Sequence, residues 1–185
     1  PDWGRMMRWF APLVVTAFAA VLRLVNLGHP HQLAFDETYY VKDAWSLWTL
    51  GYEGTWGENA NDAFVTLQEL PLSEQGSFIV HPPLGKWLIA LGMAIGGPDN
   101  SGGWRLATAV LGAGSVLLVY LIARRLSGSL VVASVAGTLL AIDGLSIVMS
   151  RIALLDGILT FFVLWGVLFV LIDRQRTIPV LEKRD

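Results

Sequence analysis

Two adjacent carboxylates, Asp36 and Glu37, stand at the beginning of residues 37–50, a segment that favours a helix ending at Gly51. Adjacent residues of a helix point about 100° apart, so these two carboxylates cannot do the same job. One of them can act as a general base on a hydroxyl group while the other orients a neighbouring group. The residue types leave a structural alternative open, because Asp is a favoured N-cap and Glu suits the first turn of a helix.

Cationic side chains occur at two later places. In the run His-Pro-Pro-Leu-Gly-Lys, two prolines fix the backbone before a second helix, and His81 and Lys86 bracket the turn. Arg105 begins the next apolar run, and a guanidinium binds a phosphate in a bidentate manner. Because cations near a membrane surface hold phosphate groups, these three residues are candidates for binding a lipid phosphate. The alternative is that they only anchor helix ends at the interface.

Three charged residues lie at the turn between the last two apolar runs or within a few residues of it. Asp143 and Arg151 are expected to pair across the turn that separates these runs. Asp156 follows about one turn into an apolar helix, so it is expected to face the interior of a helix bundle.

Composition identifies the class of protein that must position these residues. Of 185 residues, 54% are hydrophobic and 15% charged, and the mean hydropathy is +0.56. A soluble domain has about 25% charged residues, so the chain is predicted to be a membrane protein. The net charge of −2 excludes a basic nucleic-acid binder. There is no cysteine, and the histidines at 29, 31 and 81 lack metal-ligand spacing, so we expect no metal and no cofactor.

Apolar runs near 20 residues long predict membrane spans. We place four spans at residues 9–28, 104–123, 130–145 and 152–172. Residues 87–97 are too short to cross and are predicted to form an interfacial or re-entrant helix. This arrangement puts every short basic cluster on the cytoplasmic side, as the positive-inside rule requires; the clusters are Arg5 with Arg8, Arg124 with Arg125, and Arg174 with Arg176.

The domain organisation follows from these spans. Residues 1–28 form a cytoplasmic tail and the first span, residues 29–103 one long external loop, and residues 104–172 three further spans. Residues 173–185 form a cytoplasmic segment, and the chain is expected to be the N-terminal part of a longer protein. Within the external loop, an apolar stripe at positions 40, 44, 47 and 48 predicts an amphipathic helix at the membrane surface. Residues 52–78 are predicted to form an irregular loop.

Taken in order, these residues resemble the protein O-mannosyltransferase family. The similarity covers about residues 5–172 and lies in four short runs: Phe35-Asp36-Glu37 followed by Lys42, His81-Pro82-Pro83-Leu84-Gly85-Lys86, Arg105-Leu106, and Ser150-Arg151-Ile152-Ala153-Leu154-Leu155-Asp156. One position departs from the family pattern, since many members have Asp two residues before His-Pro-Pro, where this chain has Ile79. The long 52–78 loop suggests a bacterial branch.

The resemblance implies an all-α polytopic membrane protein of the GT-C type, with a long external loop carrying juxtamembrane amphipathic helices. It also implies an enzyme that moves mannose from polyprenyl-phosphate-mannose to Ser or Thr hydroxyls of a secreted polypeptide, with inversion. The implied location is the bacterial plasma membrane, with the active site on the external face. The expected partners are this donor, the polypeptide acceptor and the lipid bilayer, without nucleic acid.

Roles for the candidate residues follow from this chemistry. Asp36 is expected to be the general base, with Glu37 orienting the site. A phosphate leaving group needs positive charge rather than a second acid, and Arg105 is the first candidate, supported by Lys86 and His81. The supporting residues, by resemblance, are Lys42, Arg151 and Asp156.

Three alternatives stay open. The chain can belong to another GT-C transferase that uses a polyprenyl-phosphate sugar with a lipid or glycan acceptor. It can be a transporter fragment in which Arg23, Asp143 and Asp156 line an ion path. It can also be a non-catalytic membrane scaffold, in which case substitution of Asp36 or Arg105 changes assembly and not turnover.

Overall fold

The computed structural model describes residues 3–181, and residues 1–2 and 182–185 of the predicted cytoplasmic segments lie outside the described part. The fold is all-α, as predicted, apart from one small sheet. Its elements, in chain order, are α1 (Trp3–Leu24), α2 (Glu37–Leu50), β1 (Gly54–Trp56), α3 (Ala60–Thr66), β2 (Leu72–Gly76), α4 (Leu84–Gly96), α5 (Ser101–Ser127), α6 (Leu130–Ile142), α7 (Gly144–Ser150) and α8 (Leu155–Leu181).

Two of the predicted spans are confirmed as helices long and apolar enough to cross a bilayer. They are α5 and residues 155–178 of α8. The run predicted as a single span over residues 130–145 is broken at Asp143, where α6 and α7 meet at a 62° bend, and the two helices qualify only as a pair. Helix α1 is not among the candidate spans found in the described residues, so the four-span arrangement stays a prediction.

Helix α5 is the centre of the molecule, and α1, α4, α6 and α8 all pack against it. Small residues allow this close packing. A Cβ atom on Gly92 of α4 would lie 2.6 Å from the carbonyl oxygen of Gly103 in α5. The short apolar helix α4, predicted as interfacial or re-entrant, therefore lies directly against the beginning of α5.

The apolar core divides into two clusters along α5. The cluster at its N-terminal end joins α2, α3, α4, α5 and the 153–158 segment, with Phe64, Ile89 and Trp104 among its fully buried side chains. The smaller cluster joins α1, α5 and α6 through Ala19, Val116 and Ala141. The first cluster lies beneath the long loop and holds α2 and α4 in place.

The 52–78 segment is more ordered than the irregular loop that the sequence predicted. Strands β1 and β2 pair antiparallel, and α3 lies between them in the chain. Two aromatic residues attach this segment to the core: Trp56 contacts Phe64 edge to face, and Phe64 contacts Trp104. The sequence of this segment shows little hydrophobic periodicity because few of its side chains are buried. The buried Phe64 packs against aromatic residues of α2 and α5, which are distant in sequence.

The contact between α4 and α5 generates a prediction. Gly92→Ala places a Cβ against a backbone oxygen, so the free energy of unfolding should fall by about 1–3 kcal/mol. The matched control is Gly166→Ala in α8, where an added Cβ meets nothing within 4 Å. Unfolding of the full-length protein in detergent micelles measures both variants, and equal stability of Gly92→Ala and Gly166→Ala would contradict the packing described.

Candidate functional site

Asp36 occupies the N-cap position of α2, but its carboxylate makes no capping hydrogen bond. Its backbone carbonyl accepts from the N–H groups of Tyr39 and Tyr40, and the preceding Phe35 has a left-handed φ of 54° that turns the chain into the helix. The helix ends at Gly51 as predicted, with φ 83°. The half-buried carboxylate of Asp36 is thus not occupied by capping, which leaves it available for other contacts.

Glu37 has the opposite environment, because it is fully buried. Its Oε1 accepts from Arg105 Nε at 2.8 Å and from the Ala153 N–H at 2.8 Å. Its Oε2 accepts from Arg105 Nη2 at 2.9 Å and from the Ala34 N–H at 2.8 Å. Each oxygen therefore has two donors, and this carboxylate connects α2 to α5 and to the segment before α8.

Arg105 is 1% exposed and directs its remaining donors to the chain that follows α1. Nη1 donates to the carbonyls of Leu27 and Pro30, and Nη2 donates to that of Gln32. A guanidinium has five N–H donors. In Arg105, three of them donate to these carbonyls and the other two donate to Glu37. The prediction that Arg105 binds the phosphate of the mannosyl lipid disagrees with this geometry, because no N–H group of the guanidinium is left for a ligand.

Lys86 is also buried and paired. Its Nζ lies 2.7 Å from Glu53 Oε1 and 3.0 Å from Asp43 Oδ2. A lysine held between two carboxylates belongs to a group of net negative charge, which does not attract a phosphate. The predicted phosphate-binding role of Lys86 is therefore weakened, although its side chain borders the cleft described next.

A cleft of about 540 Å³ opens between α2, β1 and the 77–81 segment. Asp36, Lys42 and His81 line it. Lys42 Nζ lies 5.9 Å above the ring of Trp56, a cation–π contact, and Lys42 has no salt bridge within residues 3–181. Burial lowers the pKa of Lys42, while the nearby Asp43 carboxylate raises it. Lys42, which resemblance placed only in a supporting role, is thus a cation that a ligand can reach.

A second, more apolar cavity of about 350 Å³ adjoins the cleft. Tyr40 and His81 border both cavities. The other lining residues are mostly apolar and come from α4 and α8; they include Leu84, Leu155, Ile158, Leu159 and Phe162. From the sequence, Tyr40 was assigned only to an apolar stripe. Its i, i+4 spacing from Asp36 is the signal that could have placed both side chains on one face of α2.

The expected pair of Asp143 and Arg151 is wrong. Arg151 does not pair with Asp143; its guanidinium donates to the carbonyls of Leu22, Arg23, Val25 and Asn26 and so holds the end of α1. Asp143 accepts from the N–H of Ser146 and caps α7.

Asp156 is exposed in this chain and borders the apolar cavity, so the expectation that it faces the interior of a helix bundle stays a prediction. It lies in the first turn of α8, where a carboxylate interacts favourably with the helix dipole. It therefore remains near the site, on the side opposite α2.

The histidines have different surroundings. His31 stacks on Trp104, and its Nδ1 lies 3.0 Å from the Ser101 hydroxyl, so it fixes a loop, as expected. In the part of the chain that the structure describes, no three His, Asp or Glu residues come together as a metal site would require.

Several known proteins are similar to this chain in sequence. Residues 100–178 match the family model described as dolichyl-phosphate-mannose-protein mannosyltransferase. A polyprenol-phosphate-mannose–protein mannosyltransferase of Mycobacterium tuberculosis is 38% identical over 181 residues, which are 95% of this chain and 31% of the relative. That of Corynebacterium glutamicum is 34% identical over 88% of this chain and 30% of the relative.

More distant similarity extends to human protein O-mannosyl-transferase 1, which is 30% identical over 90% of this chain and 22% of the relative. The chain belongs to the protein O-mannosyltransferase family. It spans about a third of the length of the bacterial relatives it matches. No solved structure matches the chain.

Ile79 is the position at which the sequence departs from the pattern expected of the family. Its side chain is 62% exposed, between the exposed Phe78 and Val80. Because position 79 is exposed, an Ile in place of an acid leaves no buried cation without a partner there. Its two neighbours, Phe78 and Val80, line the cleft.

The surroundings of Glu37 generate a prediction. Glu37→Gln removes the charge that compensates Arg105 and turns an amide N–H₂ toward existing donors, so the free energy of unfolding should fall by about 3–5 kcal/mol. The control is Glu58→Gln, at an exposed position that precedes α3. Both are measured by unfolding of the full-length protein in detergent, and a loss in Glu37→Gln no larger than in the control would show that the pair is dispensable.

Proposed function

We propose that this chain forms part of an enzyme that transfers mannose from polyprenyl-phosphate-mannose to Ser or Thr hydroxyls of secreted polypeptides, with inversion. Family membership supports the donor and the protein acceptor. The observation that carries the proposal is the contrast between the two adjacent acids. Glu37 is saturated by a buried arginine, whereas Asp36 borders an open cleft with Lys42 and His81.

Asp36 acts as the general base. As the acceptor oxygen attacks C1 of mannose from the face opposite the phosphate, the carboxylate of Asp36 takes the hydroxyl proton. The bond from C1 to the phosphate oxygen breaks, and polyprenyl phosphate leaves with the electron pair. Inversion needs one carboxylate on the acceptor side, because a phosphate leaves without being protonated by a second acid.

The positive charge for the leaving phosphate comes from Lys42 rather than from Arg105 and Lys86, and the ring of His81 is placed to hydrogen-bond the phosphate. Lys42 is free of ion pairs in the described residues and lines the cleft, and His81 borders both cavities. A phosphate at the junction of the cavities extends its polyprenyl chain into the apolar one. Fixed positive charge there stabilises the negative charge that develops in the transition state.

The buried cations support this site from outside it. Arg105 holds Glu37 and the 27–32 carbonyls, Arg151 holds the end of α1, and Lys86 joins α4 to Asp43 of α2. Asp156 remains a supporting acid that faces the apolar cavity near Tyr40. Neither a metal nor a cofactor takes part in this scheme.

The location and topology belong to the same proposal. The chain is an integral membrane protein, and we place it in a bacterial plasma membrane with residues 29–103 and the active site on the external face. The basic clusters that set this orientation include Arg8 and the pair Arg124 and Arg125, with the Arg5 side chain outside the described residues. A GT-C transferase with a lipid or glycan acceptor has the same donor geometry, and competition between acceptors in a membrane assay separates the two.

The general base generates a prediction. Asp36→Asn should reduce mannose transfer by at least about 10²-fold, the lower end of what general base catalysis contributes. The matched control is Asp62→Asn, on the exposed face of α3. The measurement is transfer of labelled mannose from polyprenyl-phosphate-mannose to a Ser/Thr peptide, in membranes containing the full-length protein. Near-normal transfer by Asp36→Asn would refute the assignment.

A pH dependence follows from the lowered pKa of Lys42. As pH rises through this lowered pKa, Lys42 loses its charge, so the KM for the lipid donor should rise at a pH below that at which a solvated lysine titrates. Lys42→Arg keeps its charge and should remove this rise, whereas the KM for the peptide stays constant in both proteins. Identical alkaline profiles for wild type and Lys42→Arg would exclude Lys42 from phosphate binding.

A further inference from the structure

Lys42 is held in the cleft by an aromatic ring and not by a carboxylate. Its Nζ lies 5.9 Å from the centre of the ring of Trp56, a residue of β1 that lines the same cleft. Two acids, Asp36 and Asp43, also line this cleft, but neither forms a salt bridge with Lys42 within residues 3–181. The partner of this cation is therefore a group without net charge.

The acid next to Lys42 in the chain is occupied by a different cation. Asp43 Oδ2 lies 3.0 Å from Nζ of the buried Lys86 of α4, and Glu53 Oε1 lies 2.7 Å from the same Nζ. Because adjacent residues of a helix point about 100° apart, α2 directs Asp43 to Lys86 and Lys42 to β1. Lys86 thus has two carboxylates as partners, while the charge of Lys42 is not cancelled by an ion pair in the described part of the chain.

The ring of Trp56 is itself held in place by the apolar core. Its residue pairs with Leu72 of β2, and its ring contacts Phe64 of α3 edge to face, with centroids 6.0 Å apart. Phe64 is fully buried and contacts Trp104 of α5 at 5.9 Å. The buried Nε1 of Trp56 has no hydrogen-bond partner among the described residues, so ring packing sets the orientation of the indole. A row of aromatic rings therefore connects the position of Lys42 to α5.

An aromatic face and a carboxylate hold a cation with different consequences. An ion pair cancels most of the charge that a ligand would meet, whereas the ring quadrupole attracts the ammonium and leaves its net charge in place. A side chain that is ordered before binding also loses less conformational entropy when its ligand arrives. A lysine held over an aromatic ring beside a cleft is therefore suited to binding an anion.

We propose that Trp56 is a positioning residue, which holds the Lys42 ammonium over its ring in the position where it binds the leaving phosphate of the lipid donor. This inference rests on the proposed function, in which Lys42 supplies the positive charge for that phosphate. It adds that use of the donor depends on the electron density of an indole ring in β1. Trp56 acts through Lys42 and takes no part in proton transfer.

The test replaces Trp56 in the full-length protein with tryptophans that carry increasing numbers of ring fluorine atoms, which weaken the cation–π attraction and nearly keep the shape of the ring. The kcat/KM for polyprenyl-phosphate-mannose should fall stepwise along the series by roughly two- to fivefold in all, the strength of a cation–π contact at a partly exposed site. The KM for the peptide should stay constant. The matched control is the same series at Trp48 of α2, which is 59% exposed and lies outside the lining of both cavities.

The Lys42→Met background separates this inference from the proposed function. The fluorine series at Trp56 should have no effect there, because the cation that the ring holds is gone. A flat series at Trp56 in the wild-type background, an equal decline in the Trp48 series, or an undiminished decline in the Lys42→Met background would each overturn the positioning role. A donor kcat/KM that Lys42→Met alone leaves unchanged would instead overturn the proposed role of Lys42 in binding the phosphate.

Discussion

The buried ion pair between Glu37 and Arg105 is the interaction on which the rest of the site depends. Removing two charges from water is costly, and the cost is offset only when the remaining donors and acceptors are satisfied. Here that condition is met by backbone groups from two separate segments, the 27–34 chain and the residues before α8. The pair therefore fixes the 27–34 chain and the start of α2 relative to α5.

The position of Asp36 follows from that constraint. Since Glu37 is turned into the protein, the preceding residue in the helix is turned about 100° away, toward the cleft. The basic side chains divide in the same manner. Arg105, Arg151 and Lys86 are held by backbone carbonyls or acids. Lys42 and His81 border the open cleft. Buried charge forms the frame of this site, and half-buried charge is left for chemistry.

The sequence predicted those parts that depend on local pattern. Long apolar runs identified α5 and α8, Gly51 identified the end of α2, and the adjacency of Asp36 and Glu37 implied that their roles differ. The break at Asp143, the sheet within residues 52–78 and the partners of Arg105 were not predictable, since each depends on groups distant in the chain. Arg23 shows the reason: it donates to the carbonyls of Leu140 and Ala141, at the end of α6, from more than a hundred residues away.

The central claim is that Glu37 maintains the frame while Asp36 does not, and backbone hydrogen exchange in the full-length protein tests it most directly. The informative amides are those of Ala34 and Ala153, which donate to Glu37 from two different segments. The account predicts that both amides exchange faster in Glu37→Gln and stay protected in Asp36→Asn. Unchanged protection in Glu37→Gln, or equal loss of protection in both variants, would contradict it.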